Sequence, residues 1–178
     1  MGLALAGAEG ISTVTIESKP FGKDRSAFEA SLQSALEAHR IELICLGGFM
    51  RLFTAEFVQA WYGRMLNIHP SLLPSFPGLD PHAQALSAGV KVSGATVHFV
   101  TPETDAGPIV MQGVVPVRDD DTPEALSARI LEIEHQIYPA ALRLLASGRL
   151  RLEGAICKLH GNASGADTLI SPQPTGKV

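Results

Sequence analysis

The first part of the chain alternates between helical and strand-like patterns of hydrophobic positions. Residues 1–8 are rich in Ala and Leu, which predicts the end of a helix, and residues 11–18 alternate between apolar and polar side chains like a strand. Asp24 or Ser26 can cap a second helix, whose apolar side chains recur at every fourth position until about His39. The opening segment is therefore predicted to be helix, strand and helix.

A nearly continuous apolar run, residues 41–48, comes next and ends in two glycines. Such a run is typical of a strand that is buried on both faces of a parallel sheet. The remaining patterns predict, in chain order, a helix over residues 54–61 capped by Thr54, a strand over 63–69, a short helix over 82–88, strands over 92–100 and 108–117, a helix from Pro123 to Gly148 and a short strand over 149–154.

The order of these elements indicates the fold class and the domain organisation. Strands alternate with helices in the first half, whereas the later strands look like antiparallel neighbours. We therefore predict an α/β protein with a mostly parallel, twisted sheet that is flanked by helices and has an added edge. One domain is expected over residues 1–154, and the Gly-, Ser-, Pro- and Thr-rich residues 155–178 are predicted to form a flexible polar tail.

Composition disfavours several classes of function. Of the 178 residues, 46% are hydrophobic and 18% are charged, and the net charge is −4 without a run of basic residues. These values favour a soluble globular protein over one that binds nucleic acid, and no stretch reaches the roughly 18 apolar residues of a membrane span. The N-terminus lacks the basic segment of a signal peptide, and the two cysteines fit no zinc or disulfide pattern. A cytoplasmic protein with reduced thiols is expected.

The segment LNIHPSLLPSFPGLDPH, residues 66–82, combines polar side chains with several prolines. Because alternate residues of a strand point the same way, Asn67 and His69 are expected to share a face at the end of the predicted strand. The prolines stiffen the loop that follows, and a preorganised polar pair is what stabilisation of a transition state requires. The alternative is that both side chains satisfy backbone groups of the loop, and their spacing alone does not decide between the two.

Asp105 lies in TPETDAGPI, between two predicted strands. It is either a turn former or, if it meets His69, a group that orients the imidazole and keeps it charged. Asn, His and Asp without a nearby Ser or Cys nucleophile point to direct group transfer, in which Asn67 and protonated His69 hold an oxyanion. His98 is interpreted as a satisfied, partly buried histidine, and the histidines form no cluster that predicts a metal site.

Four segments together resemble one family in their order and spacing: GGFMRLFTAEFV, LNIHPSLLPSFPGLDPHAQAL, GATVHFVTPETDAGPIVMQ and EHQIYPAALRLLASGRL. That family is glycinamide ribonucleotide transformylase, also called phosphoribosylglycinamide formyltransferase, and the resemblance extends from about Gly2 to Gly154. It implies a Rossmann-like formyltransferase fold and transfer of a formyl group from 10-formyltetrahydrofolate, as co-substrate, to the amine of glycinamide ribonucleotide in purine synthesis. The implied partners are these small molecules, and no metal, nucleic acid or membrane is expected. The resemblance is also compatible with a homodimer.

The resemblance also assigns roles to individual residues. Asn67, His69 and Asp105 match the catalytic trio, in which Asp105 would keep His69 protonated and order a water. Without the resemblance, residues 49–53 would be interpreted as a helix lead-in that packs on the core, and Glu134 as part of a solvated helix face. The positions that match the family's folate site are Arg25, Met50, Arg51, Leu52, Phe53, Thr101, Pro102, Glu103 and Thr104, and those that match its ribonucleotide site are Leu131 and Glu134.

One part of the family pattern has no counterpart in this sequence. Family members open with a strand, a glycine-rich phosphate loop of the form G-x-G-S-N, a helix and a second strand. We therefore expect a domain that is truncated at its N-terminus, an exposed sheet edge beside residues 41–46 and weakened substrate affinity. Three alternative functions stay open at this point: a formyltetrahydrofolate hydrolase (deformylase), an inactive remnant that binds folate or a nucleotide, and an oligomerisation or scaffold domain.

Overall fold

The computed structural model describes residues 2–161 and Ser171. It divides into two compact units, residues 1–42 and residues 43–178. The helices and strands of the described residues are, in chain order, α1 (Gly2–Ala8), α2 (Arg25–Ala38), β1 (Ile44–Leu46), α3 (Ala55–Ala60), β2 (Met65–His69), α4 (Pro81–Ser87), β3 (Val92–Phe99), β4 (Ile109–Pro116), α5 (Pro123–Ala146), β5 (Leu150–Glu153) and β6 (Ile156–Leu159), with a 3₁₀ turn at Lys19–Phe21.

Helix α2 is the longest element of the first unit. The side chain of Asp24 caps it by accepting a hydrogen bond from the backbone N–H of Ala27 at 2.9 Å, which confirms one of the two predicted caps. Phe28 of this helix contacts Phe21 edge to face, with 5.8 Å between the ring centroids.

The predicted strand over residues 11–18 is wrong. This segment takes part in no sheet of the described residues, and its apolar side chains Ile11 and Val14 are exposed. An alternating pattern forms a strand only where a neighbouring strand supplies hydrogen bonds and a covered face, and the segment has neither.

The second unit is built on a mixed four-stranded sheet with the order β1-β2-β3-β4. β1 and β2 are parallel, whereas β2 with β3 and β3 with β4 are antiparallel. The predicted α/β class is confirmed, but the sheet is mixed rather than mostly parallel. The loop over residues 100–108 is too short for the crossover that a parallel β3–β4 pair would require.

Helix α5 covers one face of this sheet. Thr122 caps it by accepting a hydrogen bond from the N–H of Ala125 at 3.2 Å. Gly113 of β4 allows the close approach, because a Cβ there would lie 2.3 Å from the side chain of Ile133. The fully buried part of the core includes Leu66, Ala85, Ala95, Val97, Leu126, Ile130 and Ala141.

Two further predictions need correction. The predicted burial of residues 41–48 on both faces is wrong, since only β1 is a strand there, it pairs with β2 alone among the described strands, and Cys45 is exposed. Part of the predicted tail is also structured, because β6 pairs with β5 around the turn at Gly154. Residues 162–170 and 172–178 of that tail lie outside the described residues. Within the described ranges, no helix has the length and apolar character to cross a bilayer.

Candidate active site

Strand β2 presents Asn67 and His69 at its carboxyl end. Its antiparallel pairing with β3 sets Asn67 opposite His98 and His69 opposite Thr96. Because side chains alternate along each strand, this register gathers polar groups from two neighbouring strands on one face of the sheet.

Each ring nitrogen of His69 lies beside an oxygen acceptor. Nε2 is 2.9 Å from the backbone oxygen of Phe76, and Nδ1 is 3.4 Å from Oδ2 of Asp105. A neutral imidazole carries a single N–H, so only the protonated ring donates to both oxygens. The side chains of His69 and Asp105 are 7% and 10% exposed, which limits screening by water. The geometry therefore offers one oxygen acceptor to each ring nitrogen of His69.

Asp105 belongs to the loop between β3 and β4 and reaches His69 from there. Its φ of +53° lies in the left-handed region, which is uncommon for residues other than glycine and clusters at functional sites. Its Oδ2 also accepts a hydrogen bond from the backbone N–H of Gly78 at 2.9 Å. The segment after β2 therefore holds both partners, since Phe76 contacts the imidazole and Gly78 contacts the carboxylate.

His98 orients the amide of Asn67. Nδ1 of His98 lies 2.9 Å from the backbone oxygen of Phe99, so the neutral ring carries its proton on Nδ1 and a lone pair on Nε2. That Nε2 lies 3.2 Å from Nδ2 of Asn67 and accepts its hydrogen bond, while Oδ1 of Asp105 is farther away at 3.8 Å. The pKa of His98 is lowered, mainly by burial and also by the nearby His69, although its contacts with Phe99 and Asp105 raise it, and this favours the neutral ring.

The structure thus brings Asn67, His69 and Asp105 together, and it adds groups that sequence reasoning misses. His98 is buried and satisfied, as interpreted, but it also contacts Asn67. The signal that could have revealed this contact is the antiparallel pairing of β2 with β3, which sets Asn67 opposite His98. The contributions of Phe76 and Gly78 come from the backbone, for which residue types give no signal.

A pocket opens beside this cluster, at the carboxyl ends of β1 and β2. Its lining comes from the end of β1, the following segment and the start of α3, from β2, and from β3 with the loop after it. The lining residues are Leu46, Phe49, Arg51, Leu52, Phe53, Val58, Asn67, His98, Val100, Thr101, Pro102, Glu103, Thr104 and Asp105. Most of the predicted folate positions are among them.

An aromatic stack supports one wall of this pocket. The rings of Phe49 and Phe53 lie 4.6 Å apart with an interplanar angle of 13°, and those of Phe53 and Phe57 lie 4.6 Å apart at 21°. Phe57 is only 6% exposed, so the stack connects the wall to the buried side of α3.

Five predicted site residues are not among the lining residues, and these are His69, Arg25, Met50, Leu131 and Glu134. Met50 is 78% exposed, and Leu131 is exposed on α5. Glu134 is half-buried on the same helix. Burial raises its pKa, although the nearby His135 and His69 act to lower it. Arg25 begins α2 in the first unit. The part of the chain that the structure describes contains no group of three His, Cys, Asp or Glu side chains placed to hold a metal ion.

Known proteins similar to this chain give it a family. Residues 1–142 match the formyl transferase family. The chain is 50% identical over 158 residues to the trifunctional purine biosynthetic protein adenosine-3 of Gallus gallus, a match covering 88% of this chain and 16% of that protein. It therefore spans about one sixth of the length of this relative. It is 41% identical over 166 residues to the phosphoribosylglycinamide formyltransferase of Escherichia coli strain K12, covering 93% of this chain and 74% of that protein.

Among solved structures, glycinamide ribonucleotide transformylase 1 from Symbiobacterium toebii aligns with a TM-score of 0.86 and 48% identity. The alignment covers 90% of this chain and 75% of that one. The family match over most of the sequence, together with the long alignment to the bacterial relative, shows that the chain belongs to the formyl transferase family.

Proposed function

We propose that this chain transfers the formyl group of 10-formyltetrahydrofolate to the primary amine of glycinamide ribonucleotide, a step of purine synthesis. The observation that carries the proposal is the position of Asn67 and Asp105 in the lining of a pocket, together with the buried contact that Asp105 makes with His69. The names of the relatives support transfer to an amine rather than hydrolysis by water.

The proposed reaction needs stabilised charge and a transferred proton. The amine nitrogen attacks the formyl carbon, and the carbonyl oxygen becomes an oxyanion. The bond between that carbon and N10 of the folate then breaks, the amine loses one proton and N10 gains one. The products are the N-formylated ribonucleotide and tetrahydrofolate. A site for this reaction needs donors for the oxyanion and a group that carries the proton.

The residues of the cluster supply both requirements. An asparagine amide has two N–H groups, and because one is held by His98 the other has a fixed direction for the oxyanion. The imidazolium of His69 adds positive charge, and Asp105 stabilises that charge from 3.4 Å and accepts the amine proton, directly or through a water. Since no Ser or Cys is among the pocket-lining residues of the described chain, direct attack fits better than a covalent intermediate.

The pocket walls suit the folate. Aromatic and aliphatic side chains such as Phe49, Phe53 and Val100 offer apolar surface for a planar ring, and the loop over residues 101–104 adds polar groups. Met50 and Arg25 are assigned to the folate, and Leu131 and Glu134 to the ribonucleotide, on the family resemblance alone.

The test supplies the purified chain with 10-formyltetrahydrofolate in the presence and absence of glycinamide ribonucleotide. Mass spectrometry measures the formylated ribonucleotide, and a separate assay measures formate. We expect product only with the amine, and a loss of roughly 100-fold or more in Asn67→Ala and His69→Ala. His39→Ala, which changes an exposed histidine of the first unit, serves as the matched control and keeps the wild-type rate. Formate release without the amine supports a hydrolase instead, and folate binding without turnover supports an inactive remnant.

A further inference from the structure

We infer that Thr96 is a positioning residue for the cluster of His69 and Asp105. Its hydroxyl fixes the start of the segment that follows β2, and the end of that segment supplies the backbone contacts of both side chains. The kinetic consequence of this inference rests on the proposed function, whereas the contacts themselves do not.

The hydroxyl of Thr96 is fully used in a site from which water is excluded. It donates to the backbone oxygen of Ser71 at 2.7 Å and accepts from the backbone N–H of Leu73 at 3.0 Å. It accepts a second hydrogen bond from Nε2 of Gln112 at 3.0 Å. A hydroxyl has one hydrogen and two acceptor positions, so this arrangement satisfies all of them. Thr96 and Ser71 are 0% exposed.

The contacts of Thr96 with the backbone of Ser71 and Leu73, called the anchor below, are supported by neighbouring hydrogen bonds along the segment. Gln112 also donates to the backbone oxygen of Leu73 at 2.9 Å, and the hydroxyl of Ser71 donates to the backbone oxygen of Ser75 at 2.6 Å. The next residue, Phe76, places its backbone oxygen 2.9 Å from Nε2 of His69. The chain between the anchor and the imidazole is therefore short and held at several points.

Gly78 belongs to the same segment, and its backbone N–H donates a hydrogen bond to Oδ2 of Asp105 at 2.9 Å. If the anchor is lost, the contacts made by Phe76 and Gly78 loosen together. Small misplacements of reacting groups lower rates by up to about 100-fold. Thr96 touches neither substrate nor the reacting atoms in this account and acts only through the segment.

Replacing Thr96 by valine keeps the side-chain shape and removes the hydroxyl, whereas serine keeps the hydroxyl. We expect kcat of Thr96→Val to fall about 10- to 100-fold while both KM values stay within about twofold. Thr96→Ser restores most of the rate. Ser93→Ala removes a second buried hydroxyl, on the opposite face of β3, and serves as the matched control with an unchanged kcat.

A measurement that does not depend on activity uses protein labelled with ¹⁵N-histidine. The Nε2–H signal of His69, identified by its absence in His69→Gln, is expected to exchange slowly with water in the wild type and in Thr96→Ser. It is expected to exchange rapidly in Thr96→Val. A folded Thr96→Val protein that keeps both kcat and the slow signal overturns the inference.

Two further outcomes keep this test decisive. If the wild-type chain transfers no formyl group, the proposed function fails and the exchange of the His69 signal alone decides the inference. If Thr96→Val does not fold, Gln112→Leu removes one donor to the same hydroxyl and to Leu73. We then expect faster exchange of the His69 signal, and an unchanged signal overturns the inference.

Discussion

The ion pair between Asp121 and Arg129 offers a quantitative test of how the junction between β4 and α5 is held. Oδ1 of Asp121 lies 2.7 Å from Nη2 of Arg129, and Oδ2 lies 2.8 Å from Nη1. The carboxylate also accepts a hydrogen bond from the backbone N–H of Arg118 at 2.8 Å, and its side chain is only 3% exposed. Such a bidentate, partly buried pair is stronger than a fully exposed surface pair.

The bond from Arg129 is the main reason that the pKa of Asp121 is lowered from its ordinary value of 3.8 to about 2. A difference of this size corresponds to about 2 kcal/mol of stability. Because the carboxyl has a lower pKa in the folded protein than in the unfolded chain, its charged form stabilises the fold at pH values above the unfolded-state pKa of 3.8. This stabilisation is lost as the pH falls towards the folded-state pKa of about 2. About half of it should remain at pH 3.

We therefore expect Asp121→Asn to lower the free energy of unfolding by about 2 kcal/mol at pH 7 and by about half of that at pH 3. Urea denaturation of the wild type and the variant at both pH values measures the difference. Asp119→Asn is the matched control, because the Lys91–Asp119 pair is largely exposed and should contribute less than about 1 kcal/mol. Equal losses in the two variants, or a loss in Asp121→Asn that does not change with pH, would refute this reasoning.

Three other substitutions test the site and the strands that support it. Asp105→Asn keeps an acceptor for Gly78 but removes the charge beside the imidazole, so kcat/KM for formyl transfer should fall about 10²- to 10⁴-fold with little change in melting temperature. Tyr138→Phe removes the hydroxyl that lies 2.7 Å from the backbone oxygen of Leu46 and 3.1 Å from that of Leu66, and should cost about 1 kcal/mol in urea denaturation. Phe53→Ala removes the middle ring of the aromatic stack, so equilibrium titration should show weaker folate binding, while formyl transfer that depends on Asn67 persists. Unchanged folate binding would contradict a role for the stack.

The helices are the part of the fold that the sequence predicts best. Asp24, Thr54 and Thr122 cap α2, α3 and α5 in the structure because their side chains act within a few residues of their own position. Strands depend on distant partners, so an alternating pattern alone misassigns residues 11–18. The same dependence explains why β6 is missed, since its pairing with β5 outweighs the glycines around it.

The residues of the candidate site also divide into those that a local pattern predicts and those that depend on distant parts of the chain. Asn67 and His69 are predictable because a period of two fixes their common face. That Asp105 lies beside His69 requires a loop conformation with a positive φ, and this is not encoded in a recognisable residue pattern. His98 reaches Asn67 through the register of β2 and β3, which the prediction of separate strands does not specify.

The most direct test of the proposed transfer follows the formyl carbon itself. The wild-type chain and His69→Ala are each mixed, in a single turnover, with an excess of enzyme over ¹³C-formyl-labelled 10-formyltetrahydrofolate and with saturating glycinamide ribonucleotide. We expect the label to appear on the ribonucleotide amine with the wild type, and at least about 100-fold more slowly with His69→Ala. Label released as formate, or equal transfer by the two proteins, would contradict this expectation.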